Sequence, residues 1–275
     1  MSKSKKKIPA VVEFYDIAGL VKGASTGEGL GNQFLTHIRD TQAIAIVLRV
    51  FQNPDIIHVE ASVDPLRDME IILTELALKD LEIVERRLGK LEGEARTGEK
   101  KAVQNLETLK RITSCLQEGK SIAEFRDEEI VGELALLSAK KQLYLLNGRD
   151  EEVPQDLRDK IDEVGAEYLV ADLGNVDAVP ELIRKAYAML GLVSFFTTGE
   201  DETRAWTITR GDKTPQAAGV IHTDFEKNFI RAEVVPYQKF LETGGWIQAK
   251  QKGLLRVEGK EYVVQDGDVM VIRHG

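Results

Sequence analysis

Two stretches, Ala43-Ile-Ala-Ile-Val-Leu-Arg49 and Gln142-Leu-Tyr-Leu-Leu-Asn147, decide the fold. Each is a short, nearly continuous apolar run. That length, with the β-branched residues of the first, suits a strand buried on both faces of a parallel sheet. Tyr168-Leu-Val-Ala171 offers a third strand, and Pro180–Leu190 has helical spacing. Between the first two runs, Asp64-Pro65 supplies an N-cap and a first-turn proline. Leu66, Met69, Leu73, Leu76, Leu81, Val84, Leu88 and Leu91 then recur at three/four spacing with one slip, which predicts a long amphipathic helix. After a turn from Gly93 to Gly98, Val103, Leu106, Leu109, Ile112 and Leu116 predict a second helix. A short link makes the pair an antiparallel hairpin with a solvated charged outer face. Strands separated by helices, with a hairpin inserted, read as an α/β domain.

Upstream, Val11-Val-Glu-Phe-Tyr15 reads as a strand running out to Asp16. Five glycines fall between Gly19 and Gly31, which predicts a loop, followed by a short helix over Asn32–Asp40. From about Leu192 the texture changes. Ala205–Thr209, Phe229–Val235, Leu254–Val257, Tyr262–Val264 and Val269–Arg273 read as short strands divided by turns and two helical stretches. This is a small α+β domain.

Composition narrows the function. The 275 residues are 43% hydrophobic and 30% charged, so a wholly disordered chain is excluded. The single cysteine, Cys115, excludes a disulfide framework and a cysteine-rich zinc site, and reads as a small apolar helix residue. No apolar run is long enough to span a membrane. The lysine-rich start has no apolar segment behind it, so it is not a signal peptide, and a cytoplasmic protein is expected. The net charge is −9. Residues 1–59 alone lean basic, with 7 Lys and Arg against 5 Asp and Glu. DNA is therefore not an expected ligand, and any RNA contact would be local. Lys227, Arg231 and Lys239 could form a basic patch, against the plainer reading of a solvated face.

Two short motifs could carry chemistry. Asp16-Ile-Ala-Gly19 at a strand end offers a carboxylate that can hold Mg2+ through water and an amide that can meet a terminal phosphate, or simply a strand-end turn. Asn147-Gly-Arg-Asp150 stands where GTPases read the base with N-K-x-D, or is a polar turn. Here Gly148 replaces the lysine. Gly27-Glu-Gly-Leu-Gly31 has the wrong spacing and place for a dinucleotide fingerprint. His37, His58, His222 and His274 show no metal-ligand spacing; His222 beside Asp224 is a polar pair or a structural histidine. No acyl-hydrolase motif is present.

Longer matches then accumulate. Asp16–Ser25 with Gly27-Glu-Gly-Leu-Gly-Asn32 resembles the switch region of the YchF/Obg-like ATPases. Ser62-Val-Asp-Pro-Leu-Arg-Asp68 and Glu75-Leu-Ala-Leu-Lys-Asp-Leu-Glu82 resemble the start of that family's helical arm. Arg204-Ala-Trp-Thr-Ile208, Lys213-Thr-Pro-Gln-Ala-Ala-Gly219 and Ile221-His-Thr-Asp-Phe-Glu226 resemble its C-terminal TGS domain, a β-grasp fold. The resemblance runs from about Ile8 to the end.

It implies a P-loop NTPase-type α/β domain over 1–62 and 141–190, an inserted helical arm over 63–140, and a TGS domain over 191–275. It also implies hydrolysis of ATP or GTP with Mg2+ and association with the ribosome, at the large subunit. Asp16 would be the Mg2+-side aspartate and Gly19 would meet the γ-phosphate. Asn147 and Asp150 would lie beside the base. Leu20 occupies the place of the usual catalytic glutamine and cannot orient a water, so the catalytic group stays unassigned.

The chain departs from the family pattern in three ways. It contains no G-x-x-x-x-G-K-[ST], so the lysine and amide cradle for the β- and γ-phosphates are missing and the sheet is expected to be incomplete. The expectation is a chain that starts after the family's P-loop. Val11–Tyr15 and Ala43–Arg49 would then face a gap or an open edge, and residues 1–7 are too short and too charged to fill it. Where the family has N-x-x-E for adenine, this chain has Asp150, which leaves GTP open. The segment after Ala171 is shortened, so contacts of the family's last base-binding loop are not carried over. Two readings stand: a YchF-type nucleoside triphosphatase, or a non-hydrolytic ribosome- or RNA-binding adaptor or fragment with a remnant nucleotide site. A metabolic enzyme is a distant third.

Overall fold

The computed structural model describes residues 4–16, 38–56, 62–174 and 178–275. The chain divides into two units, residues 15–182 and residues 1–14 with 183–275.

The first unit holds a three-stranded parallel sheet of β2 (Ala43–Arg49), β3 (Lys141–Asn147) and β4 (Glu167–Ala171), in the order β2-β3-β4. Register runs from Ala43 opposite Lys141 to Arg49 opposite Asn147 and on to Ala171. One face carries Ile46, Leu48, Tyr144 and Leu146, packed under Met69 of α1 (Pro65–Ala95) and under Leu157 and Ile161 of α4 (Gln155–Glu163). These buried side chains come from strand positions two apart, as the pleat requires.

The crossover from β2 to β3 is the hairpin: α1, then α2 (Lys100–Gln117), a single 3-10 turn at Ala123–Phe125, and α3 (Glu129–Leu134). Helix α1 starts as expected. Asp64 Oδ1 accepts the Arg67 amide at 3.0 Å and Pro65 takes the first turn. The hairpin has its own core of Val84, Leu91, Leu109, Ile112, Leu116, Phe125 and Ile130. Cys115 is a free thiol, half-buried at the edge of that core. Exposed charges pair along the surface, Arg87 with Glu94 and Arg86 with Glu82.

The second unit is a six-stranded sheet in the order β1-β6-β5-β9-β7-β8. Its strands are β1 (Lys6–Ile8), β5 (Leu192–Thr198), β6 (Glu202–Thr209), β7 (Phe229–Pro236), β8 (Arg256–Glu258) and β9 (Asp268–His274). The hairpin β5–β6 is antiparallel, β5 runs parallel to β9, and β7 is antiparallel to both β8 and β9. With α6 (Thr214–Ile221) supplying Ala217 and Ala218 to a core of Phe195, Ile208, Ala232, Val234 and Met270, this is a β-grasp arrangement.

Several expectations need correction. Val11–Tyr15 forms no strand. A strand needs a ladder partner, and Val11 and Tyr15 are 65% and 67% exposed. Residues 1–14 belong with the second unit rather than with a stretch 1–62. Lys6–Ile8 is a strand there, parallel to β6 from Glu202 to Arg204. Lys6 stands opposite Glu202, and Lys5, just before the strand, reaches Asp201 through its Nζ at 2.9 Å. Strand β5 was not anticipated. Tyr262–Val264 makes only an isolated bridge, Val263 to Lys213, and Tyr262 donates its hydroxyl to Asp268 at 2.7 Å. Of the expected helix over Asn32–Asp40, only Ile38–Asp40 lies within the described residues, and it is the end of a helix. The open edge expected at Ala43–Arg49 is present among the described residues: β2 pairs with β3 alone, and Val47 is 53% exposed.

Candidate functional site

In open parallel sheets, ligands bind beyond the carboxyl ends of the strands. Here β2, β3 and β4 end together at Arg49, Asn147 and Ala171. The ends are stitched by backbone bonds, Val50 amide to Asn147 carbonyl at 3.0 Å and Gly148 amide to Ala171 carbonyl at 3.1 Å.

Asn147 Oδ1 accepts the Leu173 amide at 3.1 Å and so ties the loop after β4 to the end of β3. Gly148 follows at φ 150°, where a Cβ would stand 2.6 Å from Val50 Cγ2 and 3.3 Å from the Phe51 nitrogen. That crowding accounts for glycine where the N-K-x-D pattern has lysine. Arg149 donates its amide to Glu152 at 2.7 Å, closing a 3-10 turn over Asp150–Glu152.

Asp150 projects from this turn with its side chain 77% exposed. Its Oδ1 accepts from Arg158 Nη2 at 2.9 Å, and the same guanidinium reaches the Asp150 carbonyl and the Tyr168 hydroxyl. The Asp150 carboxylate, then the Tyr168 hydroxyl, hold the Arg158 charge more firmly than usual. One carboxylate oxygen of Asp150 is therefore committed, while the group still faces solvent.

Asp16 lies exposed at the end of the strandless segment. Among the described residues no hydrogen bond or ion pair joins it to Asn147 or Asp150. Gly19 and Leu20 lie outside the described residues. Among the described residues no group of three or more His, Cys, Asp or Glu is arranged to hold a metal ion. Mg2+ needs no such cage, because it commonly uses one carboxylate with substrate phosphates and water. Asp16 fits that limited role.

Three further residues of this unit had not been singled out: two at these ends and one, Asp80, beside the loop that leads into β3. Arg49 donates to the carbonyls of Phe51, Asn53 and Ile56 at 2.9–3.0 Å and lies over the Phe51 ring, which shapes the loop after β2. Its only signal in the sequence is a charge closing an apolar run. Arg158 anchors Asp150 from α4. Asp80 is fully buried on α1, at the slip in the apolar spacing between Leu76 and Leu81. Of the basic trio of the second unit, Lys239 pairs with Glu242 at 2.9 Å. His222 is a cap, its Nδ1 accepting the Asp224 amide at 3.2 Å.

Comparison with known proteins extends the likeness over nearly all the chain. Residues 192–275 match the YchF-GTPase_C family model, described as a protein of unknown function (DUF933). The ribosome-binding ATPase YchF of Bacillus subtilis is 41% identical over 303 residues, spanning 98% of this chain and 83% of that protein. Obg-like ATPase 1 of Homo sapiens is 39% identical, over 98% and 78%. The solved structure of the Schizosaccharomyces pombe YchF GTPase superposes with a TM-score of 0.84 at 35% identity, covering 98% of this chain and 82% of that one. No helix among the described residues is long and apolar enough to cross a membrane. Fold, sequence and domain-scale likeness agree, and the chain belongs to the YchF/Obg-like ATPase family.

Proposed function

We propose that this chain is a cytoplasmic, ribosome-associated purine nucleotide-binding protein of the YchF type. The observation that carries the reading is likeness along 98% of the chain to proteins named as ribosome-binding ATPases. In this reading the nucleotide sits beyond the carboxyl ends of β2, β3 and β4. Asn147 holds the base loop in shape, and Asp150 accepts from the base edge with its uncommitted oxygen while Arg158 fixes the other. Asp16 holds Mg2+ through water and Gly19 meets the γ-phosphate. Bound Mg2+ would neutralise phosphate charge during hydrolysis. Residues 191–275 act as a TGS domain and, with the 63–140 arm, contact the large ribosomal subunit and its RNA.

A second reading is an adaptor that docks on the ribosome without hydrolysing nucleotide. One titration separates the two. The purified chain, shown folded by far-UV circular dichroism, is titrated with labelled Mg-ATP and with Mg-GTP. Saturable binding that Asp150→Ala weakens supports the nucleotide reading, and the preferred base reports what Asp150 reads. A folded chain that binds neither, yet co-sediments with ribosomes, supports the adaptor.

A further inference from the structure

In sequence, Ile38–Thr41 joins the glycine-rich run to β2. It is gripped from two sides. Ile38 is 4% exposed and packs with Leu76 of α1 and with Leu137, beside Ile44 and Ile72. Lys140 Nζ donates to the Arg39 carbonyl at 2.8 Å and also to the Thr41 carbonyl.

The same short loop, Leu137–Lys140, is held from its other side by α1. Asp80 accepts the Leu137 amide at 2.8 Å, the Ser138 amide at 2.7 Å and the Ser138 hydroxyl at 2.6 Å. Arg126 Nε adds a bond to the Ala139 carbonyl at 2.7 Å. The charged groups around Asp80 are Arg39 and Lys140, and Arg39 also faces Glu82. Arg39 Nε is buried without a hydrogen-bond partner.

Burying a carboxylate and half-burying a lysine is a costly way to hold a four-residue loop, since packed apolar side chains do it as well. What the charges add is direction. Each hydrogen bond is made or lost within a small displacement, so a shift at one carbonyl is passed to the other side of the loop.

We propose that Leu137–Lys140 is a coupler, with Lys140 and Asp80 as its two positioning residues, that makes Ile38–Thr41 and the middle of α1 open and shift as one unit. Joined to the nucleotide reading above, on which this last step rests, it is the route by which a change in the glycine-rich run reaches the helical arm.

The test is a mutant cycle read by hydrogen exchange of the full chain, with no nucleotide present. Thr41→Gly loosens the segment, because the Thr41 hydroxyl bonds the Ile38 carbonyl at 2.7 Å and makes no bond to α1. In the parent, Thr41→Gly should speed exchange of the Leu137 and Ser138 amides and of residues 76–84 about five-fold. In a Lys140→Met background the same change should speed them by less than about two-fold. Coupling is reciprocal, so Asp80→Asn must speed exchange of the Thr41 amide, which bonds the Ile38 carbonyl at 3.1 Å. Equal acceleration in both backgrounds, or none in the parent, overturns the proposal. If Lys140→Met does not fold, Lys140→Gln takes its place with the same criteria. Failure of the nucleotide reading would show only in the Mg-ATP and Mg-GTP titrations, so the two failures are distinguishable.

Discussion

Replacing Gly148 by alanine tests the geometry of the strand ends directly. The backbone there has φ 150°, and the added methyl would meet Val50 Cγ2 at 2.6 Å and the Glu152 carboxylate at 3.0 Å. Val50 is buried and its amide is bonded to Asn147, so it has little room to withdraw. The backbone conformation costs a non-glycine residue about 1–3 kcal/mol. Overpacking costs about as much again. Allowing for partial relaxation, Gly148→Ala should destabilise its unit by about 3 kcal/mol. With a urea slope of about 2 kcal/mol per molar, the midpoint falls by about 1.5 M. Far-UV circular dichroism follows the helices of that unit. Both tryptophans, Trp206 and Trp246, lie in the other unit, so their fluorescence reports the part that was not altered. Adding Val50→Ala should return about 1 kcal/mol, the steric share, and leave the backbone share in place. A Gly148→Ala midpoint within about 0.3 M of the parent would refute the reasoning.

Asp64→Ala removes the N-cap of α1 and should cost about 1 kcal/mol, seen as a lower thermal midpoint by circular dichroism, while Asp64→Ser retains most of it. Leu109→Ala empties a fully buried site in the hairpin core and should cost about 2–5 kcal/mol in urea unfolding. Burial, and then the bond to Asp268, push the Tyr262 phenol up to about 12, and burial moves Tyr144 the same way. The folded chain holds these protons above the unfolded value of about 10, so their contribution is complete below about pH 10 and is lost as pH rises toward 12. Ultraviolet titration should show late phenolate formation, with one late step absent in Tyr262→Phe.

The parallel sheet was legible because β2 and β3 are unbroken apolar runs, although the face of β2 that carries Ala45 and Val47 is exposed, and α1 because Asp64-Pro65 and a repeating seam mark its start and inner side. Local pattern failed where pairing decides. Val11–Tyr15 has the composition of a strand but no ladder, whereas Lys6–Ile8 looks too charged and becomes a strand because Glu202–Arg204 offers it a parallel partner. Tyr262–Val264 likewise finds no ladder beyond the single bridge of Val263 to Lys213. The loop residues Asn147–Asp150 could be located from the end of β3. The commitment of Asp150 to Arg158 could not, because those partners come together only when α4 packs on the sheet. Asp80 showed only as an irregularity in the spacing of leucines, and nothing in a linear pattern distinguishes a tolerated flaw from a buried acceptor of three hydrogen bonds.

Helix α1 serves three cores in succession: Met69 under the strands, Leu76 beside Ile38, then Val84 and Leu91 within the hairpin. Its 31 residues make a rod about 46 Å long. The coupler grips that rod at Asp80, near its middle, and about 22 Å of helix extends beyond the grip to Ala95. Rotation by about ten degrees about this fulcrum sweeps the far end through about 4 Å, more than the span over which a hydrogen bond is made and broken. In the proposed coupling, an unbroken helix would carry a small tilt at the Asp80 grip to the tip of the arm, enlarged in proportion to its length.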